Sequence, residues 1–148
     1  MTARRGDTAH ERLAAAFAAE NAASYAYGLI GVRLTGTAAR DARDAEASHR
    51  ARRDALVDPL TAGGATPPPA APAYALPFPV TDPAGALRLA VEIEQRTAAV
   101  WRAALPGTTG DQRTAALNGL IDCAVRATRW RRAAGATPVT VPFPGTPG

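Results

Sequence analysis

Four ionisable side chains, Glu20, Glu46, His49 and Glu94, fall on the apolar stripes of three separate stretches that read as helices. A charge withdrawn from water is costly unless it is paired, hydrogen-bonded or bound to a cation. The helices carrying these groups must therefore turn them toward a common interior where they can satisfy one another. Only 5% of the residues are aromatic although 47% are hydrophobic, so the core is built mainly from Ala, Leu and Val. Such a core suits closely packed helices far better than sheets. The 148 residues are enough for one domain with one core, taken as 1–148.

The first helix is expected to start near Asp7 or Thr8, with Glu11 completing a capping box three positions after Thr8. Leu13, Phe17, Glu20, Ser24, Tyr27 and Leu34 then recur at bundle spacing until Gly36. A second helix over 37–62 carries Ala42, Glu46, His49, Arg53, Leu56 and Leu60 on one stripe, with Pro59 kinking its last turn or ending it early. The break at 35–37 is short enough to make the two an antiparallel hairpin. Asp82 followed by Pro83 announces the third helix as N-cap and first helical residue. Its stripe is Leu87, Val91, Glu94, Ala98, Trp101 and Leu105, closed by Pro106-Gly107. Asp111 is the expected cap of a fourth helix with Leu117, Leu120, Ile121, Ala124 and Thr128 inward, ending near Gly135.

Between the second and third helices, residues 63–81 are dense in Pro and carry Tyr74, Leu76 and Phe78. At about 3.1 Å per residue an extended path of this length spans the ~30 Å of a 20-residue helix. The fold class expected is therefore all-α: a four-helix bundle in which one long crossover joins two helical hairpins. An echo supports two related halves, since Gly64-Ala65-Thr66-Pro67 recurs as Gly135-Ala136-Thr137-Pro138 and Pro77-Phe78-Pro79 as Pro142-Phe143-Pro144. The Pro-rich tail, 137–148, is expected to lie on the bundle as the crossover does, anchored by Phe143.

Glu46-Ala-Ser-His49 has the spacing that puts a carboxylate and an imidazole on one helical face. With Glu20 and Glu94 it makes a candidate metal set of Glu20, Glu46, His49 and Glu94, suited to a single iron, manganese or zinc ion. In di-metal bundles a Glu alternates with a Glu-x-x-His pair from helix to helix. The runs Ala18–Gly28, His49–Asp54 and Tyr74–Val80 extend that likeness: the chain resembles the ferritin-like superfamily, and more closely a bacterial ferritin-like family of unknown function. The resemblance implies the four-helix fold and brings no established activity.

Helix four departs from the di-metal pattern. Aligning the two Gly-Ala-Thr-Pro echoes sets Leu117 and Leu120 opposite Glu46 and His49, whereas a shift of three sets Leu120 and Cys123 there, and neither restores a Glu-x-x-His. Redox chemistry at two metals is not expected. Two readings of the acids stand side by side. They are relics paired with Arg53, His49, Tyr25 or Tyr27 and bind no cofactor, or they retain one ion.

The preferred function is a non-catalytic domain with a degenerate di-metal centre that self-associates as a dimer or binds another protein; the alternative is an iron- or manganese-binding protein. Other chemistry lacks footing, with no phosphate-cradling glycine loop and no Cys pair for zinc. All 17 basic residues are Arg and the net charge is +4. The cluster Arg126, Arg129, Arg131 and Arg132 reads as the positive end of a helix complementing its dipole rather than as a nucleic-acid patch. Residues 1–12 lack the apolar stretch of a secretion signal and no run approaches a membrane span. The single Cys123 fits a reducing compartment, so a cytoplasmic protein without membrane partners is expected.

Overall fold

The computed structural model describes residues 2–147, and side chains from Thr8 onward. It is all-α, with four long helices and one short one among the described residues: α1 (Thr2–Gly31), α2 (Gly36–Ala55), α3 (Val57–Ala62), α4 (Pro83–Ala104) and α5 (Gly110–Ala133). Helix α1 is already helical at Thr8, so no helix starts there, and the side chain of Asp7 lies outside the described residues. The second predicted helix is two, divided at Leu56. Pro59 has no N–H to give the carbonyl four residues back, and its ring crowds that turn, so the helix breaks at Leu56 and resumes at Val57. At the start of α4, Asp82 accepts a hydrogen bond from the Gly85 N–H at 2.6 Å, with Pro83 in the first turn. Thr109, rather than Asp111, is the N-cap of α5, and its side chain makes no capping bond.

Helix α1 lies between α2 and α4, and α4 also packs on α5. Glu20 meets His49 and Gly31 meets Ala42, so α1 and α2 run antiparallel; Glu20 meets Trp101 and Tyr27 meets Glu94, so α1 and α4 do as well. Helices α2 and α4 thus point the same way, which obliges the segment joining them to travel the length of the bundle. Leu76, Phe78 and Val80 from that crossover pack against the core, and the Tyr74 ring lies 5.5 Å from that of Tyr25. Helices α2 and α5 scarcely touch, which leaves a groove between them.

The inward face of α5 is not the one hydropathy suggests. Leu117, Ile121 and Val125 are each nearly half exposed, whereas Ala116, Gly119, Cys123, Ala127 and Trp130 are buried. Close approach to α4 selects small side chains, because the Trp101 ring lies flat over Gly119. The tail touches α4 at two places. Arg102 donates to the Pro144 carbonyl at 3.1 Å, and Gly145 sits so near the Ala98 carbonyl that a Cβ would come within 2.8 Å of it. Phe143, expected as the anchor, is 73% exposed; Pro144 and Gly145 hold the tail instead.

A Cβ at Gly119 would fall 2.7 Å from two carbons of the Trp101 ring. Gly119→Ala gains about 1 kcal/mol of helix propensity and loses about 1–3 kcal/mol to overpacking. Urea unfolding is expected to show a net loss of up to about 2 kcal/mol; a gain would mean that the ring has room to move.

A candidate functional site built from buried ion pairs

Glu20 on α1, His49 on α2 and Glu94 on α4 are each fully buried and meet at the centre of the bundle. One ring nitrogen of His49, Nδ1, lies 2.6 Å from Glu20 Oε2, and the other, Nε2, lies 3.1 Å from Glu94 Oε1. Ionised carboxylates only accept, so two of them on one imidazole call for a proton on each nitrogen. Burial works against the charged ring, but the hydrogen bonds to Glu20 and Glu94 and their negative charges outweigh it, and the His49 pKa is raised above 6.5. Burial likewise works against ionised Glu94; the hydrogen bond and charge of His49, then Arg126 and Tyr27, more than offset it and lower its pKa from 4.5.

Two tryptophans and a tyrosine complete the first ring of partners. Trp101 Nε1 donates to Glu20 Oε1 at 2.6 Å, and the Tyr27 hydroxyl donates to Glu94 Oε1 at 2.5 Å. That hydroxyl accepts in turn from Trp130 Nε1 at 2.7 Å, and the Tyr27 ring stacks on His49 with centroids 5.4 Å apart. Burial first, then the Glu94 charge, hold the Tyr27 pKa well above its ordinary value, so it stays a donor.

Two arginines close the cluster on its α2–α5 side. Arg52 Nη1 lies 3.6 Å from Glu20 Oε1, while its other terminal nitrogen bonds Asp122 on α5. Arg126 Nη1 lies 3.5 Å from Glu94 Oε1. Neither Nη1 has a hydrogen-bond partner, so each attracts its carboxylate by charge alone. Three cations, His49, Arg52 and Arg126, thus face the carboxylates of Glu20, Glu94 and, at the rim, Asp122.

Glu46, the fourth predicted ligand, is not in this cluster. It is partly exposed and takes a hydrogen bond from Arg50 on the next turn at 2.5 Å. The inward line on α2 runs through Ala42, Ala45, His49 and Arg52, one residue aside from the predicted Glu46 and Arg53; Arg53 bonds Asp54 and Asn21. Arg126 was expected among helix-end charges. The four arginines instead separate, with Arg126 facing the core, Arg131 buried toward the tail, and Arg129 and Arg132 exposed. Tyr25 pairs with Tyr74 in the crossover and takes no part.

The cluster is built twice. The interval from Glu20 to Glu94 is also the interval from Tyr27 to Trp101, His49 to Cys123, Arg52 to Arg126, Ala42 to Ala116 and Ala45 to Gly119. Tyr27 donates to the carboxylate of the other half and Trp101 does the same in return. The register is therefore the one that sets Leu120 and Cys123 opposite Glu46 and His49. Burial, with the charges of Glu94 and Glu20, raises the Cys123 pKa far above the ordinary thiol range, so it is an inert thiol where the first half has an imidazole.

Carboxylates and imidazole are donor types that iron, manganese and zinc accept. Their arrangement here does not suit an ion, because both nitrogens of His49 are committed and only Oε2 of Glu94 lacks a hydrogen bond among the carboxylate oxygens of Glu20 and Glu94. Among the described residues no group of three His, Cys, Asp or Glu side chains is placed to hold a metal.

A family model described as a domain of unknown function (DUF4439) matches residues 12–148. A crystal structure of a conserved hypothetical protein from Mycobacterium tuberculosis is similar at 40% identity, with a TM-score of 0.85, over 95% of this chain and 99% of that one. No curated protein matches. No helix among the described residues is long and apolar enough to cross a membrane.

The folded protein holds the His49 proton more tightly than the unfolded chain does. That contribution to stability is complete below about pH 6.5 and is lost as pH rises through the higher folded value. Glu94 contributes fully above about pH 4.5 and is lost as pH falls through its lower folded value. Thermal unfolding followed from pH 4 to 9 is expected to show its highest Tm between these limits, and His49→Gln is expected to remove the alkaline decline. An unchanged decline in that variant would locate it elsewhere.

Proposed function

The chain belongs to the DUF4439 family, whose description names no activity, and from the site itself we propose a non-catalytic, ferritin-like domain with a degenerate di-metal centre that works by self-association. The observation that carries this reading is the engagement of both His49 nitrogens by Glu20 and Glu94. With Arg52 and Arg126 beside them, side chains supply the positive charge that metal ions supply in a working centre. The parallel run of α2 and α4 and the long crossover between them support the ferritin-like topology.

Support for association comes from α5. Leu117, Ile121 and Val125 recur every four residues along one exposed side of the helix. Two copies related by a two-fold axis bring that row against itself, so the second copy is the partner we favour.

Sedimentation at micromolar concentration is expected to show a dimer that Ile121→Asp dissociates; a monomer at every concentration would sink the association. Elemental analysis after anaerobic loading with iron, manganese or zinc is expected to find no stoichiometric ion. About one ion per chain, lost in His49→Gln, would instead establish the alternative, a metal-binding protein using Glu20, His49 and Glu94.

A further inference from the structure

Residues 140–147 of the C-terminal tail, together with α4 and α5, line a half-open cavity of about 660 Å³. That volume is in the range of small-molecule sites, and the cavity is lined on one side by α4 and α5 and on the other by the tail. Ala99, Ala124, Val125, Val141 and Phe143 give it apolar walls.

One charge in this wall has no counter-charge among the described residues. Glu92 and Arg96 neutralise each other at 2.6 Å. Arg131 is 94% buried yet makes no ion pair among the described residues. Its Nη1 reaches only the Val139 carbonyl, at 3.5 Å, and its Nη2 has no partner. A guanidinium carries five donors and cannot shed its charge. A buried cation without a counter-charge is costly, and a guanidinium is suited to hold an oxyanion.

The tail is also shaped at the mouth of the cavity. Phe143 has a φ of 51°, a conformation rare for a bulky side chain, and its ring is 73% exposed. The Thr146 hydroxyl and N–H both donate to the Phe143 carbonyl and hold that turn. Backbone strain of this kind gathers at ligand clamps. Phe143 and apolar Val141 both line the cavity, in which Arg131 is the one charge without an ion pair among the described residues.

We propose that this cavity binds a small amphipathic anion, with an acidic head on Arg131 and an apolar body against Ala99, Val141 and Phe143. A carboxylate on an acyl chain and one on an aromatic ring share this chemistry. The full-length chain is titrated with the fluorescent anion 1-anilinonaphthalene-8-sulfonate, which is then displaced by decanoate or 2-naphthoate and by their neutral amides. The acids are expected to displace it, and the relative strength of the two acids tells an acyl from an aromatic ligand.

The amides are expected to bind about tenfold more weakly or worse, the usual loss when a charge-assisted hydrogen bond is removed. Arg131→Gln is expected to reduce acid binding to the level of the amides. Because Arg131 also touches the tail, a second variant tests the cavity itself. Ala124→Phe fills it from a partly exposed helical position and is expected to abolish binding of acids and amides with helix content unchanged. Equal binding of acids and amides, full acid binding in Arg131→Gln, or unaltered binding in Ala124→Phe would each overturn the proposal.

Discussion

One imidazole holds the centre of this protein. His49 comes from α2, and its two nitrogens reach carboxylates on α1 and on α4, so a single ring joins the hairpin of the first half to the first helix of the second. Once Glu20 and Glu94 are inside, every neighbour is constrained by them. Trp101, Tyr27 and Trp130 have their polar ends inward because the carboxylates need donors, and Arg52 and Arg126 lie at the edge because the remaining charge must be balanced. Removing one member of such a network typically costs about 3–5 kcal/mol, since the others are left buried and unmatched.

The two halves repeat this arrangement with unequal chemistry. Corresponding positions carry Glu and Glu, Arg and Arg, then His in one half and Cys in the other. A second histidine beside two carboxylates would add a basic site; the thiol adds none. The single imidazole is therefore shared between both acids, and the symmetry of the backbone is not matched by symmetry of charge. Ala45 and Gly119 occupy equivalent inward places, where small side chains leave room for the larger groups of the cluster.

Much of the site could be read from the sequence, because burial of an acid on an apolar stripe has few explanations. Glu20, His49 and Glu94 stand where their periodicity put them. Glu46 does not, since the stripe on α2 is formed by alanines whose smallness hides them from a reading based on hydropathy. The same blindness misplaced α5: leucine and isoleucine look like core, but Trp101 requires glycine and alanine beneath it, and Leu117 and Ile121 are left outside. Arg126 was read with its three neighbouring arginines as a helix-end charge, because local composition does not separate the one facing inward. Its interval from Arg52, equal to that from Glu20 to Glu94, was the available signal. Phe143 was misjudged because a large ring is ordinarily an anchor, whereas here the backbone of its neighbours does the holding.

The placement of the tryptophans has an optical consequence. The chain has two, and the indole N–H of each belongs to the cluster: Trp101 gives its proton to Glu20, and Trp130 reaches Glu94 through the Tyr27 hydroxyl. Indole emission responds to nearby charge and to the strength of the bond that its N–H makes, and no other tryptophan dilutes the signal. The protein's own fluorescence is therefore a built-in readout of the ionisation of its interior, available without a label.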